Sequence, residues 1–127
     1  MSFLSKEQIL GANDRKFRDE VVPEWLDAEG KPGMVRVAGL SAKAAATFSS
    51  KLVSVDAKGQ VKELKMDNFL AELLSQTIVN ESFEPIFSEA DIEALGNKSA
   101  AVMKRLGDIA MELSGLNEQA LKDAVKN

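Results

Sequence analysis

The 127-residue sequence contains no cysteine and no histidine. Disulfides, thiolate zinc sites and imidazole metal ligands are therefore excluded, and so are the Ser-His and Cys-His pairs of nucleophilic enzymes. The lack of any disulfide framework is typical of proteins that work in the cytoplasm.

The sequence also lacks long apolar runs and runs of basic residues. No segment approaches the roughly 20 apolar residues that a membrane-spanning helix needs, and the first residues do not have the pattern of a signal peptide. With 16 Lys and Arg against 20 Asp and Glu, the net charge is -4, and such a field repels phosphate backbones. We therefore expect neither a membrane nor a nucleic acid as a partner.

Carboxylates are the remaining groups that could perform acid-base chemistry or bind a cation. Glu81 with Glu84, and Glu89 with Asp91, are close in sequence, but no glycine-rich loop, nucleophile elbow or partner lysine accompanies them. Acidic residues in a first helical turn are explained more simply by the helix dipole. Segment 56–59 begins like a calcium loop, but a lysine stands where an oxygen ligand is needed. We expect no enzymatic activity, no catalytic residue, no cofactor and no bound metal.

The composition that is present is that of a folded globule, with 45% hydrophobic and 28% charged residues. A chain of this length can bury roughly two-thirds of the surface that its unfolded form exposes. We find no internal repeat, low-complexity tract or long linker. The sequence therefore predicts a single domain over residues 1–127, with a β-containing part at about 1–63 and a helical part at about 64–127.

Local signals in the first third predict a short helix and a hairpin. Residues 5–10 form a helix if the Ser-x-x-Gln spacing at Ser5 acts as a capping box and the glycine at position 11 ends it. Two β-rich runs around a Gly- and Pro-rich turn predict a hairpin from about Val21 to Leu40. Its second strand places Val35 and Val37 on one face and an arginine on the other. A proline at position 23 places the first strand at an edge of the sheet.

The middle of the chain is less regular. Ser41 caps a helix that we predict from Ala42 to about Ser50, with a thin apolar face around Phe48. Between Leu52 and Val61, a second small hairpin and a mobile connector are both compatible with the pattern.

Apolar residues recur at helical spacing through the C-terminal half. They predict a helix from about Met66 to Thr77, a short helix from Ser88 to Gly96, a long helix that carries Val102, Leu106, Ile109 and Leu113 and ends at Gly115, and a last helix from about Asn117. The predicted fold class is α+β, mostly α-helical, with a small antiparallel β element in the N-terminal third followed by a C-terminal helical bundle.

Four large apolar residues are candidates for binding a partner. Trp25 is the only tryptophan, and lone tryptophans are either core residues or interface anchors. Phe83, Ile86 and Phe87 cluster in a proline-containing loop between two helices, where burying all three is difficult. Core and interface remain alternative interpretations for all four residues.

The order of the segments resembles the tail assembly chaperones of long-tailed, siphovirus-type bacteriophages and prophages. The resemblance rests on Met1 to Ser5, Val22 to Trp25, Val35 to Ser41 and above all Phe87 to Leu116, which reads FSEADIEALGNKSAAVMKRLGDIAMELSGL. This last stretch follows the family's C-terminal pattern of an aromatic, a capped short helix, Leu-Gly, and a long helix ending in Ser-Gly-Leu. The chain departs from the pattern at 80–85, where related sequences often have an acidic turn with glycine.

The resemblance implies a protein-binding role in the cytoplasm of the bacterial host. Such chaperones bind the long, aggregation-prone tape measure protein, help to recruit the tail tube protein, and are absent from the finished particle. Self-association into a homo-oligomer is left open. The alternative is a small structural tail or head completion protein that stays in the particle, which would need a stable ring interface.

Overall fold

The computed structural model describes residues 1–55, 61–64 and 68–116. The elements are, in chain order, α1 (Lys6–Gly11), β1 (Phe17–Leu26), β2 (Pro32–Ala38), α2 (Ala42–Leu52), β3 (Val53–Val55), β4 (Val61–Leu64), α3 (Phe69–Thr77), β5 (Ile78–Val79), α4 (Ile92–Gly96, after a single 3-10 turn at Glu89–Asp91) and α5 (Ala100–Leu113). Strands β1, β2 and β5 form an antiparallel sheet in that order, and β3 pairs with β4 separately. The predicted fold class, helical with a small antiparallel sheet, is confirmed.

Helix starts lie where side-chain caps predicted them. At α1 the Gln8 amide N–H donates to Ser5 Oγ at 3.1 Å, and the Ser5 N–H donates to Gln8 Oε1 at 2.8 Å, which completes the predicted capping box. At α2 the Ala44 N–H donates to Ser41 Oγ at 3.1 Å. Helix α2 ends at Leu52, slightly later than predicted.

Strands β1 and β2 form the predicted hairpin. Val37 is fully buried and Val35 is half-buried, whereas Arg36 lies on the opposite face. Strand β1 is an edge strand, as Pro23 predicted, and its ladder with β2 is irregular around that proline.

Strand β5 was not predicted. It follows α3 directly and pairs with β2, with Val37 opposite Ile78 and Arg36 opposite Val79. A two-residue strand cannot show the alternation that identifies longer strands in a sequence. It is formed because β2 offers a free edge for pairing. The sequence does not reveal this, because the two strands meet only in the folded chain.

Other predictions concern the middle and the end of the chain. Of the two alternatives between Leu52 and Val61, the hairpin is found, since β3 and β4 pair antiparallel. The turn at 56–60, the predicted helix start at Met66 and the last helix from Asn117 lie outside the described residues. Helix α3 ends at Thr77 as predicted.

One hydrophobic core joins the inner face of the sheet to the helices. It contains residues from both the 1–63 and the 64–127 parts of the chain. Its largest fully buried apolar side chains are Phe48, Leu73, Leu74, Ile78, Leu106, Val22, Val37 and Val102.

Helix α5 ends just before Gly115, as the sequence predicted. Gly115 has a positive φ of 70°, which glycine adopts without strain. The Leu116 N–H donates to the Met111 carbonyl at 2.9 Å, and the Gly115 N–H donates to the Glu112 carbonyl at 3.1 Å. These two bonds form a Schellman motif that satisfies the last carbonyls of the helix.

Candidate partner-binding groove

A shallow groove lies between the end of β1, the loop after β5, and α4. Its volume is about 430 Å³, and it is lined by Trp25, Ile86, Phe87, Asp91, Ala94, Leu95 and Lys98. Three of the four candidate residues, Trp25, Ile86 and Phe87, therefore lie in one groove although they come from distant parts of the chain. We call it the Trp25–Phe87 groove.

The three candidate residues in the groove differ in burial. Ile86 is 53% exposed. Trp25 and Phe87 are half-buried and pack against the hydrophobic core. Each of these two rings thus has one part in the core and another part at the wall of the groove, so core and interface are not exclusive alternatives for them.

Helix α4, the short helix predicted from Ser88 to Gly96, forms one wall of the groove. Its position opposite Trp25 was not predicted from the sequence. A capping interaction positions it, because Asp91 Oδ2 accepts hydrogen bonds from the Ser88 N–H at 2.8 Å and the Ser88 hydroxyl at 3.1 Å. Leu95 is buried beneath the helix. The position of Leu95 was a usable signal, since the adjacent Ala94 then lies on a more exposed face of the helix.

Phe83, the fourth candidate, lies outside this groove. Its ring packs edge-on against Phe17 with the ring centroids 5.2 Å apart. The Arg36 guanidinium carbon lies 4.5 Å from the Phe17 centroid and 5.3 Å from the Phe83 centroid. Arg36 also donates to both carboxylate oxygens of Asp19, at 2.8 and 3.0 Å. Phe83 is therefore half-buried by a cation and a second ring.

The backbone of Phe83 has a conformation that favours glycine. Its φ is 63°, a conformation that costs a bulky residue about 1–2 kcal/mol. The turn is held by Asn80 Oδ1, which accepts the N–H groups of Ser82 at 2.8 Å and Glu84 at 3.0 Å, and by Arg15, which donates to the Phe83 carbonyl at 3.3 Å. Glycine suits such a position, and here the packed phenylalanine ring compensates for the strain.

The side of the sheet turned away from the core is also partly apolar. This outer sheet face consists of Phe17, Asp19, Val21, Met34 and Arg36. Val21 and Met34 are paired across the two strands and are 53% and 64% exposed. A hollow of about 560 Å³ on this side is lined in part by Met34, Arg36, Glu81 and Ile86. Because Ile86 borders both hollows, the groove and the outer sheet face are continuous.

A second apolar surface is the N-terminal segment, residues 1–14. All of these residues are exposed, and α1 buries none of its side chains. The large apolar side chains that it exposes are Met1, Phe3, Leu4, Ile9 and Leu10. The body of the protein holds the segment at its end, where Arg15 Nε donates to the Gly39 carbonyl at 2.9 Å.

Both basic residues in the middle of α5, Lys104 and Arg105, form ion pairs. Arg105 donates to both carboxylate oxygens of Glu24, at 2.9 and 3.1 Å, and so connects α5 to β1. These hydrogen bonds lower the pKa of Glu24 and raise the pKa of Arg105. Lys104 pairs with Asp108 one turn along the helix, at 3.2 Å.

The part of the chain that the structure describes contains neither a cluster of metal ligands nor a membrane-spanning helix. Nowhere in it do three or more carboxylates gather closely enough to hold a metal ion. None of the helices in these ranges combines the length and the apolar character that crossing a membrane requires.

Comparison with known proteins identifies the family. Residues 5–127 match the profile of the phage tail assembly chaperones. The chain belongs to that family. A search among curated proteins returns no significant match. The resemblance predicted from the sequence is thereby confirmed, and a chaperone role in tail assembly follows for this protein. That role is not an enzymatic one.

A solved structure supports the fold of the chaperone. The tail assembly chaperone of bacteriophage HK97 is similar to it with a TM-score of 0.54 at 22% sequence identity, over 84% of this chain and 94% of that one. Similarity at this level of identity concerns the fold.

The two bidentate ion pairs predict how the chaperone responds to acid. The hydrogen bonds from Arg36 and Arg105 hold the pKa values of Asp19 and Glu24 below their ordinary values of 3.8 and 4.5. A carboxyl group whose pKa is lowered by folding stabilises the folded state at pH values above its ordinary pKa. This stabilisation is lost as the pH falls through the pKa of the folded state. We expect the thermal midpoint to fall between neutral pH and about pH 3, and to fall less in Glu24→Gln.

Thermal unfolding followed by circular dichroism at several pH values measures this effect. Glu29→Gln is the matched control, because Glu29 forms only an exposed pair with Lys31 at 3.8 Å. It should keep the wild-type pH dependence. A Glu24→Gln variant with the wild-type pH dependence would show that the pair with Arg105 does not contribute.

Proposed function

We propose that the chaperone holds an apolar segment of the phage tape measure protein in the Trp25–Phe87 groove during tail assembly. It acts by binding and not by catalysis, works in the cytoplasm of the bacterial host, helps to bring in the tail tube protein, and does not remain in the finished particle. One observation carries the proposal: Trp25, Ile86 and Phe87 line one groove, and Ile86 is 53% exposed there.

The chemistry of the groove favours an apolar partner. Large aromatic and aliphatic anchors at the centre of a concave surface, with charged groups at the edge, are the usual arrangement of a binding hot spot. Here Trp25, Ile86 and Phe87 are the apolar anchors, and Asp91 and Lys98 are the charged groups that line the groove. Two anchors are already fixed by the core, so binding immobilises few additional side chains.

The outer sheet face extends the proposed surface. Phe83 belongs to this extension, because its ring packs edge-on against Phe17 and contacts Arg36 on that face. We assign it a secondary contact with the partner, since part of its surface is already covered.

Replacing Ile86 with alanine is expected to weaken binding of the tape measure protein about thirtyfold, which corresponds to about 2 kcal/mol for an interface hot spot. Stability should change by less than about 1 kcal/mol, because half of the side chain is already in water. Titration of the purified chaperone with the tape measure protein measures the affinity, and thermal unfolding measures the stability. Binding should also survive about 0.5 M salt, since screening weakens exposed charge pairs far more than apolar contacts.

The chain offers a closely matched control for this variant. Ile9 is also an isoleucine and is 57% exposed, but it lies in the N-terminal segment. Ile9→Ala should bind the tape measure protein as the wild type does. Equal affinities for Ile86→Ala and Ile9→Ala would remove the support for the groove.

Release of the chaperone after assembly is a separate part of the proposal. We expect mass spectrometry of purified particles to detect the tail tube and tape measure proteins without stoichiometric amounts of the chaperone. If the chaperone were present at the level of a structural subunit, the alternative of a retained tail or head completion protein would be correct instead.

A further inference from the structure

We propose that the bound segment enters the Trp25–Phe87 groove as an amphipathic helix, with its N-terminal end toward Asp91 and its C-terminal end toward Lys98. This inference rests on the proposed function, because it concerns the same groove, and it adds the conformation and the direction of the partner.

The first argument comes from the hydrogen-bonding groups that border the groove. A partner strand would need a free strand edge to pair with. The outer edge of β5 is occupied by its own loop, since Val79 forms a bridge with Pro85 and the Ile86 N–H donates to the Ile78 carbonyl at 3.3 Å. The end of β1 near Trp25 is irregular, and it contains a proline that has no N–H to donate.

A helix satisfies its own backbone groups and therefore needs no free edge. Its apolar residues recur at i, i+4 and i+7 on one face. These residues can fill a groove whose walls are side chains, as the walls formed by Trp25, Phe87 and Leu95 are. Ile86 lies where the groove meets the outer sheet face, so the next turn of the same helix would reach Met34.

The second argument is electrostatic and fixes the direction. Asp91 and Lys98 both line the groove. Asp91 directly precedes α4 and Lys98 follows two residues after its end, so the two charges lie at opposite ends of this wall. A helix carries partial positive charge at its N-terminus and partial negative charge at its C-terminus. The partner is therefore favoured with its N-terminal end near Asp91 and its C-terminal end near Lys98.

Photo-crosslinking in the complex tests both parts. The full-length chaperone carrying p-benzoylphenylalanine in place of Ile86, Ala90 or Lys98 is co-expressed with the tape measure protein, irradiated, and the crosslinked residues are mapped by mass spectrometry. We expect crosslinks from position 86 at intervals of three and four residues within one segment. In the sequence of the tape measure protein, the residues crosslinked from position 90 should lie N-terminal to those crosslinked from position 98. Ala90 is chosen because it is exposed beside Asp91 and leaves the Ser88–Asp91 cap intact.

The outcomes distinguish the conformation of the partner, its direction and the binding site itself. Intervals of two residues would overturn the helix, and the reverse order of positions 90 and 98 would overturn the direction, while both would leave the proposed function standing. If none of the three positions crosslinks although the complex still co-purifies, the groove is not the binding site and the proposed function fails with it.

A charge variant gives an independent measurement of the direction. Lys98→Glu should weaken binding of the tape measure protein about threefold at low salt, because it places a negative charge beside the helix C-terminus. Lys6→Glu changes the net charge equally in the exposed N-terminal segment, and it should have no such effect. Unchanged or tighter binding by Lys98→Glu would overturn the direction.

Discussion

Gly39→Ala is expected to lower the free energy of unfolding by about 3 kcal/mol, the upper part of the usual range for overpacking. Gly39 lies directly against the end of α5, where an added Cβ would be 2.8 Å from the carbonyl carbon of Leu113 and closer still to its oxygen. Backbone atoms cannot rotate away as the tip of a side chain can.

The neighbouring hydrogen bonds prevent Gly39 and α5 from moving apart. The Gly39 N–H donates to the Lys16 carbonyl at 2.8 Å, and the Leu40 N–H donates to Ser114 Oγ at 2.8 Å. An alanine would have to break or stretch these bonds. Gly11→Ala is the control, because nothing lies within 4 Å of that position, and alanine in a helix should be neutral or stabilising by up to about 1 kcal/mol. Urea unfolding compares the two variants, and equal stabilities would show that the contact with α5 can relax.

Leu106→Ala is expected to cost about 3–4 kcal/mol, within the range for truncating a fully buried leucine. Leu106 is 0% exposed at the middle of α5 and belongs to the core between the helices and the sheet. The loss combines the lost burial of the removed methyl and methylene groups with the cavity that they leave. For a domain of this size, such a change lowers the thermal midpoint by more than about 10 °C.

An exposed leucine provides the control for this core variant. Leu26, at the end of β1, is 62% exposed, and Leu26→Ala should change stability by no more than about 0.5 kcal/mol. The two variants remove the same atoms, so the difference between them measures burial. A loss below about 1 kcal/mol in Leu106→Ala would contradict the position of α5 at the centre of the core.

The elements that could be predicted from the sequence are those determined by local chemistry. Ser5, Ser41 and Ser88 cap their helices through bonds to residues three positions away, and Gly115 ends α5 through its own backbone conformation. All of these contacts lie within a few residues, so a pattern in the sequence can reveal them. The alternation of Val35, Arg36 and Val37 likewise predicted the inner and outer faces of β2 correctly.

The parts that could not be predicted depend on contacts between distant residues. Gly39 resembles an ordinary turn glycine after a strand, and its close contact with Leu113 appears only when the chain is folded. The same holds for the edge-on contact of Phe83 with Phe17 and its contact with Arg36. Strand β5, a short element beside the candidate site, likewise forms only through its pairing with β2.

For the groove, the sequence predicted three of the lining residues and left their role open. Trp25 was a candidate because it is the only tryptophan, and Ile86 and Phe87 were candidates because several large apolar side chains in one loop are hard to bury. Whether such residues meet is decided by the hairpin, which carries Trp25 to the loop after β5. The opposing wall with Ala94 and Lys98 comes from the same tertiary arrangement.

The proposal that the tape measure protein occupies the Trp25–Phe87 groove is tested most directly by fluorine NMR of the chaperone labelled with 5-fluorotryptophan. Trp25 is the only tryptophan in the chain, so the spectrum contains one tryptophan resonance, and this resonance reports on the groove. We expect it to shift or broaden when unlabelled tape measure protein is added, and to respond only at higher concentrations in Ile86→Ala. A resonance that stays unchanged while the two proteins co-elute as a complex would contradict the proposed site.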